Sequence, residues 1–171
     1  MQHLNAKTQK NYFDPTAGFT VLEMIIVSVI VGIMAAVSTP SLLSWYNNVQ
    51  VKNALAESKG ALQQAREEAV RRSDTCNTQI DDSNNKITGN CIFQPDISSR
   101  VGLNTTNGNI SFSFRGTNTL GGAGTIVFFV EDAPDNYDKK CLVVSTPLGI
   151  IRTGDYTGDV ASPTSENCTT N

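Results

Sequence analysis

The chain has 171 residues, with 13 basic and 16 acidic side chains and a formal net charge of −3, enough for one modest domain beyond any anchor. That balance excludes the broad basic footprint with which proteins neutralise nucleic-acid phosphates. The single histidine, His3, stands near the start, so the rest of the chain has no His-based acid–base or nucleophilic pair.

In chain order, a polar segment, Met1–Gly18, precedes Phe19-Thr20-Val21-Leu22-Glu23 and an apolar run that continues to Val37. About 19 helical residues rising ~1.5 Å each give roughly 28 Å, enough to cross the hydrocarbon core of a bilayer. Glu23 interrupts the run. A carboxylate there costs on the order of 2.5–3.5 kcal/mol on insertion scales, so a cationic partner is expected. A cut after Gly18 would supply one, as a new amine on Phe19 a turn away from the Glu23 of a neighbouring copy. A secretory signal peptide could be cut at Ala36-Val37-Ser38, but the long polar lead and Glu23 inside the run oppose that reading. A plain single-span anchor gives no reason for Gly18-Phe19 or for Glu23.

Ala17-Gly18 followed by Phe19-Thr20-Val21-Leu22-Glu23 resembles the class III signal of type IV pilins and type II secretion pseudopilins. The resemblance implies cleavage after Gly18 by a prepilin peptidase, N-methylation of Phe19, and Glu23 as the assembly glutamate. Pro40 falls where the family's helix-loosening proline falls. It also implies a single-pass inner-membrane protein with a cytoplasmic leader and a periplasmic C-terminal domain, later drawn into a pilus or pseudopilus. Expected partners are other major and minor pilins or pseudopilins, the prepilin peptidase, inner-membrane lipid and the inner-membrane assembly platform. Losing Lys7, Lys10 and Asp14 with the leader would take the net charge from −3 to −4.

Lys7 and Lys10 should hold the leader in the cytoplasm, so everything beyond the span is exported. Cys76, Cys91, Cys141 and Cys168 then lie in an oxidising space, where an even count reads as two disulfides. Three pairings are open; Cys76–Cys91 and Cys141–Cys168 are preferred because each closes a local polar loop. Zinc is disfavoured by the absence of Cys-x-x-Cys spacing and of any exported histidine. No cofactor is expected.

Past Val37 the helix is expected to continue, loosened near Ala36–Pro40 because proline removes a donor and clashes one turn back. Trp45 and Tyr46 suit a membrane–water boundary or a neighbouring helix. From Val49 to Arg72, Val51, Ala54, Leu55, Ser58, Ala61, Leu62, Ala65 and Ala69 recur at three- and four-residue steps, which predicts one buried stripe. Glu67–Arg71 and Glu68–Arg72 are i,i+4 pairs in the favoured order.

After Ser73-Asp74 short β runs are separated by Asn, Asp, Gly and Ser. Expected strands are 75–80, 91–94, 99–103, 110–114, 125–130, 141–145 and 150–153. The stretch 81–85 should be a solvated turn, and Thr146-Pro147-Leu148-Gly149 a hairpin turn. The tail from Thr157 should be loose unless Cys168 ties it back. The segment 65–72, Phe114 before Arg115-Gly116-Thr117, and Leu142-Val143-Val144-Ser145 with Gly149-Ile150-Ile151-Arg152 are similar to GspH/FimT-type minor pilins. That group includes FimU and FimT of type IV pili and the pseudopilin GspH. The implied fold is α+β: a long N-terminal helix, half membrane span and half amphipathic, packed on an antiparallel β-sandwich-like C-terminal domain. The boundaries are 1–18 leader, 19–42 membrane or filament-core half, 43–73 amphipathic half, and 74–171 β domain.

The function expected is that of a non-enzymatic minor pilin in, or priming, the pilus tip; a type II secretion pseudopilin is the alternative. Some FimT-like pilins capture DNA through a Gly-Arg-x-Arg turn. The matching positions here read Gly149-Ile150-Ile151-Arg152, leaving Arg152 alone, and acids outnumber bases beyond Cys76, so nucleic acid is not an expected partner. Glu131, Asp132, Asp135 and Asp138 gather oxygen ligands but lack the calcium-loop spacing, so an acidic turn is expected there.

Overall fold

The computed structural model describes residues 18–119, 122–131 and 137–170, except for the side chains of 37–41. Helix α1 spans Val21–Arg72. Eight strands follow: β1 Cys76–Asp81, β2 Lys86–Gly89, β3 Val101–Thr105, β4 Asn109–Phe112, β5 Gly124–Val130, β6 Lys140–Val144, β7 Ile151–Tyr156 and β8 Cys168–Thr169. The fold is α+β. The chain divides into two compact units, Met1–Ser41 and Leu42–Asn171.

In the first unit, α1 starts on a side-chain cap. The Glu23 amide donates to Thr20 Oγ1 at 3.2 Å and the Met24 amide to the Thr20 carbonyl at 3.2 Å. Thr20-Val21-Leu22-Glu23 therefore has the capping-box form, with Glu23 at the third helical position. Every residue from Val21 to Ala36 is exposed, on all sides of the helix. Among the described residues no helix is long and apolar enough to cross a membrane; the apolar run described there stops at Ala36. The helix runs through Pro40, whose side chain lies outside the described residues, as does the leader up to Ala17.

In the second unit, the outer half of α1 buries the predicted stripe. Val51, Ala54, Ser58, Ala61, Leu62, Ala65 and Ala69 are all buried, and Leu55 is half-buried against the core. Most are small, so backbone and sheet come close. The helix ends in a Schellman arrangement: Ser73 has φ 53°, the Asp74 amide donates to the Ala69 carbonyl at 3.2 Å, and the Ser73 amide to Val70 at 3.3 Å.

The strands form two antiparallel sheets, β2-β1-β4 and β3-β5-β6-β7-β8. One core joins the helix stripe to both, through Ile80 and Ile87, Ile110 and Phe112, Ile126 and Phe128, Leu142 and Val144. The alternate residues of the larger sheet, Val127, Cys141 and Tyr156, form a separate cluster covered by Val160 and Cys168 of the tail. This is why β5 carries a near-continuous apolar run: both of its faces are covered.

Three details depart from expectation. The segment 91–94 is not a strand; Lys86–Gly89 is, paired with β1 from Asp81↔Lys86 to Thr78↔Gly89 across the expected turn. Cys91 is instead held by a disulfide, which leaves its segment outside the ladder. Glu68, rather than sharing the cations with Glu67, binds both Arg71 and Arg72 at 2.7 Å. A short strand, β8, joins the sheet beside β7.

Candidate assembly surfaces

Two regions of the molecule carry chemistry that its own core does not use. The first is the N-terminal junction. Phe19 is 74% exposed ahead of the helix cap, and Glu23 occupies the first turn of α1. The positive end of the helix dipole favours a carboxylate at that position, so Glu23 already has one local use. Phe19 lies just ahead of the helix and Glu23 within its first turn, and the described apolar surface that follows is open.

The second region lies where the end of α1 meets two turns of the β domain. The turn after β4 is closed by the Ser113 amide to the Thr117 carbonyl (2.9 Å) and the Gly116 amide to the Ser113 carbonyl (2.8 Å). Arg66 reaches across from α1 and donates Nε to the Gly116 carbonyl at 3.0 Å. The turn after β6 locks against it: the Asn118 amide donates to the Pro147 carbonyl at 3.0 Å, and Asn118 Nδ2 to Thr146 Oγ1 at 3.1 Å. Gly149, at φ 63°, sits under the Gly116 carbonyl where a side chain has no room. The result is a braced ledge. Phe114 is 52% exposed on it, with the Arg115 guanidinium 5.1 Å from the ring centroid. Next to it, a groove of about 330 Å³ is lined by Arg66, Glu67, Val70, Arg71, Arg115 and Gly116.

Electrostatics at this end is set by Glu68. Hydrogen bonds from Arg71 and then Arg72 hold its carboxyl below the usual carboxylate range, and the same contact raises the Arg71 guanidinium. Arg66, Arg71, Arg72 and Arg115 outnumber Glu67 and Glu68 at this end, so the cluster keeps positive charge.

Arg152 is exposed on β7, in register with Val143. In the turn before it, Thr146, Pro147, Leu148 and Ile150 are exposed, and none of them is charged. The structure pairs Cys76 with Cys91 and Cys141 with Cys168, each at a Cα separation of 5.8 Å. Among the described residues no group of three or more His, Cys, Asp or Glu side chains is placed to hold a metal ion. Asp132 and Asp135 of the acidic run lie outside the described residues. The Arg66–Gly116 contact escaped sequence reasoning because it joins positions 50 residues apart; the motif Phe114-Arg115-Gly116, an aromatic and a cation on a tight turn, was the available signal.

No protein-family model matches the chain, and no curated protein matches it. Among solved structures it is similar to the type IV minor pilin FimU of Pseudomonas aeruginosa (strain PAO1), at 17% identity over 60% of this chain. Two crystal forms of that protein align over 86% and 90% of their own chains with TM-scores of 0.49 and 0.47. It is also similar to the minor pseudopilin EpsH from the type 2 secretion system of Vibrio cholerae. There the identity is 14%, over 55% of this chain and 87% of that one, with a TM-score of 0.45.

Proposed function

We propose that this chain is a minor pilin, a structural and non-enzymatic subunit that joins or primes a type IV pilus tip after prepilin-peptidase cleavage. The observation that carries this reading is a Gly18-Phe19 junction immediately before a capped helix with Glu23 in its first turn and apolar side chains exposed all round. Such a helix needs lipid or other helices to cover it. Residues 19–42 first occupy the inner membrane with the leader in the cytoplasm, and later the filament core; residues 74–171 are periplasmic. Phe19 is the methylated terminus, and its amine lies against Glu23 of an adjacent subunit. Pro40 loosens the helix between the two halves. The partners are major and minor pilins, the peptidase and the assembly platform.

The capping box gives Glu23 a second use, so the test must separate cap from charge. Glu23→Gln keeps a side chain that a capping box accepts and loses the charge; Glu23→Ala loses both. Both variants should insert, be cleaved, and be missing from sheared filaments. Wild-type incorporation of Glu23→Gln would overturn the charge pairing. Mass spectrometry should find a mature chain starting at methylated Phe19, and Gly18→Ser should retain the leader as a heavier membrane-bound form. Deletion should abolish piliation and leave type II secretion intact; the reverse result assigns the subunit to a pseudopilus.

A further inference from the structure

A third region carries chemistry that neither the core nor the two surfaces above use. Residues 91–100 form no helix or strand, yet the segment is tied at both ends. Cys91 is bonded to Cys76, the Phe93 amide donates to Gln64 Oε1 of α1 at 3.1 Å, and the Val101 amide donates to the Ser98 carbonyl at 2.9 Å. With the β1–β2 turn and Glu131, which follows β5, this segment encloses an open cleft of about 630 Å³. The walls are fixed to one another. Asp81 Oδ1 accepts the Ser83 and Asn84 amides at 3.0 and 3.1 Å. Asn85 Oδ1 accepts the Leu103 amide at 2.9 Å, its Nδ2 donates to Glu131 Oε1 at 3.3 Å, and the Glu131 amide donates to the Arg100 carbonyl at 2.9 Å. Irregular segments held on a rigid frame are where binding side chains concentrate, and a preformed site loses little freedom when it binds.

We propose that this cleft binds an uncharged oligosaccharide. The lining mixes both hydrogen-bonding roles: Lys86 only donates, Asp96 and Glu131 only accept, and Gln94, Ser83 and Ser99 do both. A sugar hydroxyl also does both, so a ring with several hydroxyls matches this mixture. Half-buried Pro95 and Ile97 line the same space and offer apolar contact to the C–H faces of the ring. Other ligand classes fit less well. A polyanion would meet two carboxylates against one ammonium, and like charges brought together are penalised. Among the described lining residues a divalent cation would find those two carboxylates with the Lys86 ammonium beside them. A wholly apolar ligand would strip water from these groups and pair none of them. The volume lies within the range of small-molecule sites. Asp96 also lines a second cleft of about 360 Å³ with Gln50, Asn53 and Glu57 of α1, which favours a chain of sugars over a single ring.

The test uses ¹⁵N-labelled full-length protein in a zwitterionic detergent without a sugar headgroup, with EDTA present. Two probes separate the sources of such chemistry: tetra-N-acetylchitotetraose for amino-sugar glycans and maltotetraose for plain glucans. At least one should shift the amides of 83–86, 94–99 and 131 in a saturable titration, and the probe that does so identifies the class; a response to both means that the hydroxyl pattern they share is enough. Asp96→Ala and Gln94→Ala should each weaken binding about tenfold. Arg115→Ala, on the ledge that shares no lining residue with the cleft, should leave it unchanged, and all three variants should melt with the wild type. The inference is overturned if neither probe moves these amides, if Asp96→Ala and Gln94→Ala bind normally, if tetragalacturonate binds equally well, or if binding appears only after Ca²⁺ is added. Sugar binding is read independently of the mature N-terminus, so either result stands or falls without the pilin reading.

Discussion

Gly149 shows how much a single position can decide. Its φ of 63° is left-handed, and a Cβ would meet the Gly116 carbonyl of the neighbouring turn. Gly149→Ala should therefore destabilise the domain by roughly 1–3 kcal/mol, measured as a lower denaturant midpoint with unchanged slope. Glu68 gives a pH signature. Its folded-state carboxyl is held below the ordinary range by Arg71 and Arg72, so its contribution is present above the unfolded pKa and is lost as pH falls through the folded one. The melting difference between wild type and Glu68→Gln should be largest at neutral pH and vanish in strong acid; a difference independent of pH would count against the clamp. The side chains of Arg71 and Arg72 were both assigned acids from spacing alone. The Glu68–Arg72 pair forms as its spacing predicts, whereas Arg71 takes Glu68 rather than Glu67, because three- and four-residue spacings both reach an acid and only the packed geometry selects between them.

At the scale of elements, α1 was the most readable. Its stripe from Val51 to Ala69 follows helical periodicity, and those side chains are buried as that period requires. The strands were readable where apolar side chains alternate or run together, as in β5 and β6. They were missed where the strand is short and carries little apolar signal of its own. Lys86–Gly89 has a single buried apolar residue, Ile87, and pairs through the turn that Asp81 closes by accepting the Ser83 and Asn84 amides at 3.0 and 3.1 Å. β8 is two residues long and depends on the Cys141–Cys168 link, which spans 27 residues. Cys141→Ala/Cys168→Ala should cost about 3–4 kcal/mol by the loop-entropy model. It should also make 157–170 the first site of limited proteolysis, because the tail covers Val127 and Tyr156 only while it is tied. Equal protease resistance in the double variant would show that packing alone holds the tail.

For the whole molecule, every buried apolar residue described lies at Val51 or beyond, within the unit Leu42–Asn171. That unit exported without the first 41 residues should form both disulfides and melt in one cooperative transition by calorimetry. A fragment that stayed unfolded would mean the N-terminal segment contributes to the fold. Among the described residues, by contrast, 18–36 are all exposed.

The division between what could be read and what had to be seen follows the range of the interactions. Composition and local order along the chain were enough for the apolar run with its lone acid, the buried helix stripe and the α+β class, since each depends on neighbours within a turn or two. The ledge made by Arg66, Gly116, Asn118 and Pro147 and the two faces of the larger sheet came from tertiary structure alone. They arise between residues tens of positions apart, and only chain closure puts such groups within hydrogen-bonding or contact distance.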